Sequence, residues 1–532
     1  MTRRVQVLIV LPLLSALVAA APPPFAPPAS VPFNAAAYAD RAKLANSTGG
    51  TGLSAYASPA ACAAQVNLFS KNISYSVPIL SLPGRAGLGL SLTLAYNSKV
   101  WVKSGTTIYF DGERGWPGVG WRLGFGRMDG VYSGPDGFNH YYLISGDGSI
   151  RDFRFNSGTG LYESRDSTWM DFNDTTGVLR MKDGTQITFA SVGGFVQPTQ
   201  VKDRNGNYLT INYTGTAQQI SSIVDTVGRT TSFTYNGDGT LNTITKAGFG
   251  GVARTWTFGY TNITLTYSFA ASLTVNGPTS GSQVKMLTSV TYPNGTSQAF
   301  TYNSYGQLTE AAFKSSSGSV RGKFLASWQA VPGGGWTDSP TPASVANFDG
   351  TSTNSWSLAY NTYSTTVTSP TSVPRTTTFI QSGAWDEGLP SQTSIGSPAL
   401  RTSVTAWGND GSLANPRVTS VTSTLNDTGQ QSKGEYDYTS YGNVSEAREY
   451  DYGLVLKRRS TTTYVTDTNY ISRHILGLPS TSIVYDAGGT AKSRTELIYD
   501  NAAIATAAGA TNHDDTNYGT SFAWRGLVTQ TT

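Results

Sequence analysis

A short recurring unit limits what this chain can fold into more than any other feature. Gly206-Asn-Tyr-Leu-Thr-Ile-Asn-Tyr213, Gly228-Arg-Thr-Thr-Ser-Phe-Thr-Tyr235 and Gly295-Thr-Ser-Gln-Ala-Phe-Thr-Tyr302 align without gaps, each with a Tyr seven residues after a Gly. Ile211, Phe233 or Phe300 stands two residues before the Tyr, with Asn212, Thr234 or Thr301 between. That alternation has the period of a strand with one apolar and one polar face. A second rule continues it, with Gly four residues and Leu or Val six residues after the Tyr: Tyr235/Gly239/Leu241, Tyr302/Gly306/Leu308 and Tyr438/Gly442/Val444. A glycine at a fixed place among turn formers marks a position that needs φ > 0, and the Leu or Val opens the next strand. Asp203, Asp225 and Tyr292 stand three residues before the first Gly, and the unit from Asp203 to Asp225 is 22 residues long. A hairpin of this size cannot bury its own apolar face, so copies must stack.

Composition agrees with an all-β reading. Only 13% of the 532 residues are charged and 58 are Gly, against averages of about 25% charged and about 7% Gly. This excludes a disordered charged tail and long solvated helices. The net charge of +4 is too small to make nucleic acid the default partner.

Arg3 and Arg4 precede an apolar run from Val5 to Ala21 that ends in small residues. This reads as a secretory signal peptide over 1–20, cleaved after Ala20. An uncleaved anchor is the rival, but the run holds Pro12 and falls short of the ~20 residues that span a bilayer. No later stretch is long and apolar enough to span. A Pro/Ala-rich linker follows over 21–65, with one short helix expected over Asn34–Ala45. Cys62 is the only cysteine, so no internal disulfide is available.

Tyr302-Asn-Ser-Tyr-Gly-Gln-Leu-Thr309 and Tyr235-Asn-Gly-Asp-Gly-Thr-Leu-Asn-Thr-Ile-Thr245 resemble the YD repeat of rearrangement-hotspot (RHS) proteins. Tyr485-Asp-Ala-Gly-Gly489 and Tyr499-Asp500 are weaker matches. Val77 to Gly87, Leu90 to Tyr96 and Gly115 to Gly126 look like the segment that precedes the repeats in that family. The resemblance implies a long sheet that spirals into a hollow shell. In bacterial relatives such a shell can enclose a C-terminal toxin used in contact-dependent competition, and in animal teneurins a related shell serves adhesion. On this reading Tyr213, Tyr235, Tyr302, Tyr438, Leu241, Leu308 and Val444 line the wall or core. Gly206, Gly228, Gly239, Gly295, Gly306 and Gly442 set the turns. The chain departs from toxin-bearing relatives in lacking a DPxG-type segment and a distinct toxin domain, so it looks like the N-terminal part of a longer protein or a degenerate copy.

The upstream residues read physically as the same class. Leu90, Leu92 and Leu94 alternate with Ser91, Thr93 and Ala95, and Gly112, Asp136-Gly137, Asp147-Gly148 and Asp183-Gly184 mark turns. Trp101, Trp116 and Trp121 have two readings, an exposed platform that stacks on sugars or a plug at the end of a β-core. The expected organisation is an N-terminal β domain over 66–195, YD repeats over 196–315, divergent β repeats over 316–430, and incomplete repeats over 431–532.

Catalytic constellations are scarce. His140, His474 and His513 are the only histidines, and none belongs to a close-spaced metal set, a nucleophile elbow or a Walker loop. Asp203-Arg-Asn205-Gly-Asn207 has calcium-loop oxygens, but Tyr208 and Thr214 stand where Gly and Glu are needed. Glu435-Tyr-Asp-Tyr438 and Glu449-Tyr-Asp-Tyr452 pair two carboxylates on one strand face, read as solvated with Tyr438 inward. Lys457-Arg-Arg459 reads as a charged strand edge that blocks aggregation. The expectation is an exported, cell-surface scaffold without catalysis, cofactor or metal. Its partner is a surface glycan or protein, or an enclosed C-terminal polypeptide. A secreted carbohydrate-binding or adhesion module is the alternative, and a polysaccharide-degrading β-solenoid ranks third.

Overall fold

The computed structural model describes residues 53–55, 63–111, 115–134, 136–146, 148–215, 219–411, 414–505 and 509–532. The signal peptide, most of the linker with its expected helix, Cys62, Gly112 and Asp147 lie outside the described residues.

The chain is all-β. From Arg127–Ser133 to Val528–Thr531 almost every strand pairs antiparallel with the next in sequence, giving one long meander. Thr274–Asn276 leaves it to pair in parallel with Thr107–Phe110, which also pairs with Trp101–Ser104. At the start of the large sheet Met128 pairs with Val196, so its first eight strands close on themselves. The pairing then continues without a break across 195, 315 and 430. Among the described residues no helix is long and apolar enough to cross a membrane.

A second sheet of five antiparallel strands runs Leu53–Ala55, Ala63–Asn67, Asn72–Leu82, Leu90–Asn97 and Trp121–Leu123. It fills the inside of the first part of the meander. Leu90, Leu92 and Leu94 are completely buried and share one core with Phe233, Ile244, Phe300 and Leu308. Tyr75 stacks on Phe324 at 5.3 Å and Trp121 packs on Phe300 at 4.4 Å. The Leu308 amide donates to the Tyr96 hydroxyl (2.8 Å), and Thr365 Oγ1 donates to the Leu68 carbonyl (2.6 Å). The alternating Leu–Ser–Leu–Thr–Leu strand is therefore the plug that the apolar face of the repeats closes on.

Hairpin turns of a meander alternate between its two rims. Turns near 165–170, 181–185, 203–207 and 225–229 lie on one rim; those near 409–416, 439–443, 465–478 and 500–527 lie on the other. These two sets meet. Ser167 N donates to Asn415 Oδ1 (2.9 Å) across 248 residues, and Trp169 Nε1 donates to the Ser440 carbonyl (3.2 Å) across 271. Further along, Leu476 N donates to the Lys182 carbonyl at 2.9 Å, and Asn512 Nδ2 donates to the Asp225 carbonyl at 2.8 Å. A sheet whose rims touch at this separation is a spiral: its second winding stacks on its first along a hydrogen-bonded seam.

Candidate functional site

The repeat unit is a turn, a bulge and a tethered aromatic. Gly206, Gly228, Gly239, Gly295, Gly306 and Gly442 all have φ between 64° and 90°. Each donates its amide to the carbonyl three residues earlier, as Gly206 does to Asp203 and Gly306 to Asn303. Where that earlier residue is Asp or Asn its side chain finishes the turn: Asp225 Oδ1 accepts from the amides of Val227 (3.0 Å) and Arg229 (2.9 Å). An L side chain at the glycine would be held in the left-handed region, which explains the fixed glycine.

Tyr213, Tyr235, Tyr302 and Tyr438 each sit where the register with the next strand slips. Each hydroxyl donates to a carbonyl on the preceding strand: Tyr213 to Pro198 (2.7 Å), Tyr235 to Ile220 (2.8 Å), Tyr302 to Leu287, and Tyr438 to Val418 (2.6 Å). The same tether recurs at Tyr464 to Val444 (2.9 Å) and Tyr499 to Pro479 (2.8 Å). Within the divergent segment tryptophan replaces tyrosine at the slip, with Trp328 Nε1 donating to Leu308 (3.1 Å) and Trp407 Nε1 to Pro390 (2.9 Å). The sequence reading sought Tyr and so missed Trp328 and Trp407; an aromatic N–H or O–H donor closing an alternating strand is the signal that finds them.

The sugar-stacking expectation for Trp101, Trp116 and Trp121 is corrected. Trp101 and Trp121 are fully buried, and Trp116 nearly so. Trp101 donates its indole N–H to the Tyr305 carbonyl (2.8 Å) and is walled by Phe110, Tyr267 and Phe269. Trp121 donates to the Tyr302 hydroxyl (2.7 Å). None presents a face to a ligand. The calcium-like loop is also occupied by its own turn, since Asp203 Oδ1 accepts from the Asn205 (2.8 Å) and Asn207 (2.9 Å) amides and Oδ2 from Asn207 Nδ2 (2.9 Å).

The two faces of the second winding carry different chemistry. Cross-strand partners share a face, so the inner face can be followed from strand to strand. It passes from buried Thr377, beside core residue Phe379, to Thr393, Ser403, Ser423 and Ser432. Thr462, Ser482 and Thr495 continue it. In the first winding the same face presents Leu209, Ile211, Phe233 and Phe300, all buried by the plug. In the second winding, beyond Thr377, it is solvent-accessible and rich in hydroxyls, with Ser403 Oγ 2.8 Å from Ser423 Oγ. Val444, which matches fully buried Leu241 and Leu308, is 36% exposed. One ion pair, Arg458–Glu449, also stands on this face.

The outer face carries an ion network. Arg448 reaches Asp437 (2.8 Å), Glu446 (2.6 Å) and Glu435 (3.1 Å); Lys433 reaches Glu435 (2.6 Å). Lys433, Tyr450 and Arg448 hold Glu435 down to about 2. A carboxylate so stabilised is a poor proton donor near neutral pH. Lys457, Arg458 and Arg459 pair with Asp451, Glu449 and Glu446. Their strand Leu456–Tyr464 has partners on both sides, so the edge-strand expectation for them is corrected.

Histidines serve structure. His140 bridges Asp152 (2.6 Å) and Asp136 (2.9 Å), His474 Nε2 donates to the Trp169 carbonyl (2.7 Å), and His513 reaches the Asn205 carbonyl (3.0 Å). Among the described residues no group of three or more His, Cys, Asp or Glu is arranged to hold a metal.

No protein-family model matches the chain, and no curated protein matches its sequence. Among solved structures it is similar to a chain of the Photorhabdus luminescens Tc holotoxin pore carrying a TccC3 mutation, at 11% identity and a TM-score of 0.30, over 82% of this chain and 26% of that one. A chain of the TcdB2–TccC3–Cdc42 complex gives 10% identity and a TM-score of 0.27, over 83% and 26%. A porin-like protein from Bacteroides uniformis gives 15% and 0.19, over 45% and 81%. The chain thus spans about a quarter of the two toxin chains' length.

Proposed function

We propose that this segment is a length of the wall of an exported β-shell, a scaffold whose inner face shelters a polypeptide and which carries out no chemistry itself. One observation carries the reading: the face that is apolar and plugged in the first winding becomes hydroxyl-lined and solvent-accessible in the second among the described residues. Serine and threonine rows can hydrogen-bond an extended chain without an apolar grip that would fix it in place. The ion network keeps the opposite face soluble. The test is protease challenge of the complete gene product that carries this segment. A polypeptide outside the wall sequence should survive while the wall is intact and be digested once the wall is unfolded. Digestion of that polypeptide at the rate of a free chain, with the wall intact, would sink the reading.

A further inference from the structure

The hairpin tip at Gly248–Val252 stands out from the rest of the surface. Phe249 is 99% exposed and Val252 is 62% exposed. Soluble proteins expose scattered apolar residues, but an aromatic ring standing entirely in water on a protruding turn calls for a partner. The turn is rigidly made: Gly248 N donates to the Val252 carbonyl (2.7 Å), and Gly250 and Gly251 take φ of 68° and 78°. An added Cβ at either of those glycines would meet nothing within 4 Å. The ring therefore sits on a narrow tip with no side chain beside it to shield it.

Its base is basic. Lys246 and Arg254 are cross-strand partners just past the Ala247–Ala253 pair below the tip, and neither forms an ion pair among the described residues. Between Asp238 and Glu310 the chain has no acidic residue. Two turns on the same rim, 203–207 and 225–229, are covered by the 500–527 segment; the 248–252 turn is next along the rim and is exposed among the described residues. On the neighbouring turn Val227 is 44% exposed.

We propose that the Phe249 tip is a docking point for an anionic lipid surface. An aromatic and a β-branched residue enter the headgroup–acyl boundary while a Lys and an Arg at their base meet the phosphates. The charge pattern selects this occupant, since nothing acidic lies in the surrounding sequence to oppose an anionic bilayer. Contact through one tip makes the binding weak, dependent on anionic lipid content and sensitive to salt.

The test uses the whole chain with vesicles of phosphatidylcholine with and without phosphatidylglycerol. The chain should sediment with the anionic vesicles at low salt and stay in solution with the zwitterionic ones. Phe249→Ala and the Lys246→Gln/Arg254→Gln pair should each raise the apparent Kd about tenfold or more, with the unfolding midpoint unchanged. Emission from a Phe249→Trp variant should shift to the blue when anionic vesicles are added. Failure of the intact chain to sediment, full binding by Phe249→Ala, or no spectral shift overturns the proposal. Self-association that disappears in Phe249→Ala overturns it too, by assigning the tip to a second copy.

Discussion

Tyr302 carries two hydrogen bonds where Tyr464 carries one. Its hydroxyl donates to the Leu287 carbonyl and accepts from the Trp121 indole, so it ties a repeat to its predecessor and to the plug. Tyr302→Phe would leave two polar groups unpartnered in the core, at about 1–3 kcal/mol each. Tyr464→Phe frees only the carbonyl of Val444 at a solvent-accessible position, for about 1 kcal/mol or less. The fall in unfolding midpoint should be clearly larger for Tyr302→Phe, and equal falls would refute this division of roles. The alternation before each Tyr and the glycine after it were legible because both answer local backbone demands. The carbonyl each Tyr reaches was not, since it is chosen by strands 15–20 residues away in sequence.

The hairpins are nearly interchangeable as elements, and they differ most in what their tips touch. In the hairpin after Arg127–Ser133, burial opposes the charge on His140, but Asp152 and Asp136 outweigh it and raise its pKa above the usual 6.5. At the seam, burial of His474 against Trp169 lowers its pKa, with Asp171 opposing and Arg180 adding to the fall. The signs differ. Stability from His140 is full below about pH 6.5 and is lost as pH rises through its folded value; that from His474 is full above about pH 6.5 and is lost as pH falls. Amide protection near Trp169 and Lys182, taken relative to the intrinsic exchange rate at each pH, should therefore fall as the pH drops below about 6.5, and His474→Gln should flatten that dependence. Protection that is indifferent to pH in the unmodified chain would remove His474 as the cause. The seam was invisible in the sequence because its partners lie 248–332 residues apart and share no motif. The 316–430 hairpins were hidden for a smaller reason: Trp328 and Trp407 do there what Tyr does elsewhere.

Over the whole molecule the two windings are held by different forces. The first closes on the plug through one large apolar core, and the second relies on backbone ladders, hydroxyl rows, ion pairs and the seam, with only a small apolar cluster of Tyr470, Ile475 and Leu478. Exposed ion pairs add little individually, so the apolar core should dominate the stability of the first winding and leave the second dependent on its rim contacts. Leu94, fully buried on the plug strand, separates these contributions. Leu94→Ala removes core packing worth about 2–5 kcal/mol. Amide protection should fall together in Leu90–Asn97, Thr230–Tyr235 and Ser297–Tyr302, which share that core, and much less in Val444–Tyr450 and Ala491–Tyr499. An equal loss across all five strands would mean that the seam couples the windings into one cooperative unit. The reverse variant, Trp169→Ala, deletes a seam side chain that packs against the Gly442 turn and hydrogen-bonds to Ser440. It should loosen the 439–443 turn and leave the plug protected, because the ring belongs to the contact between windings and not to the core.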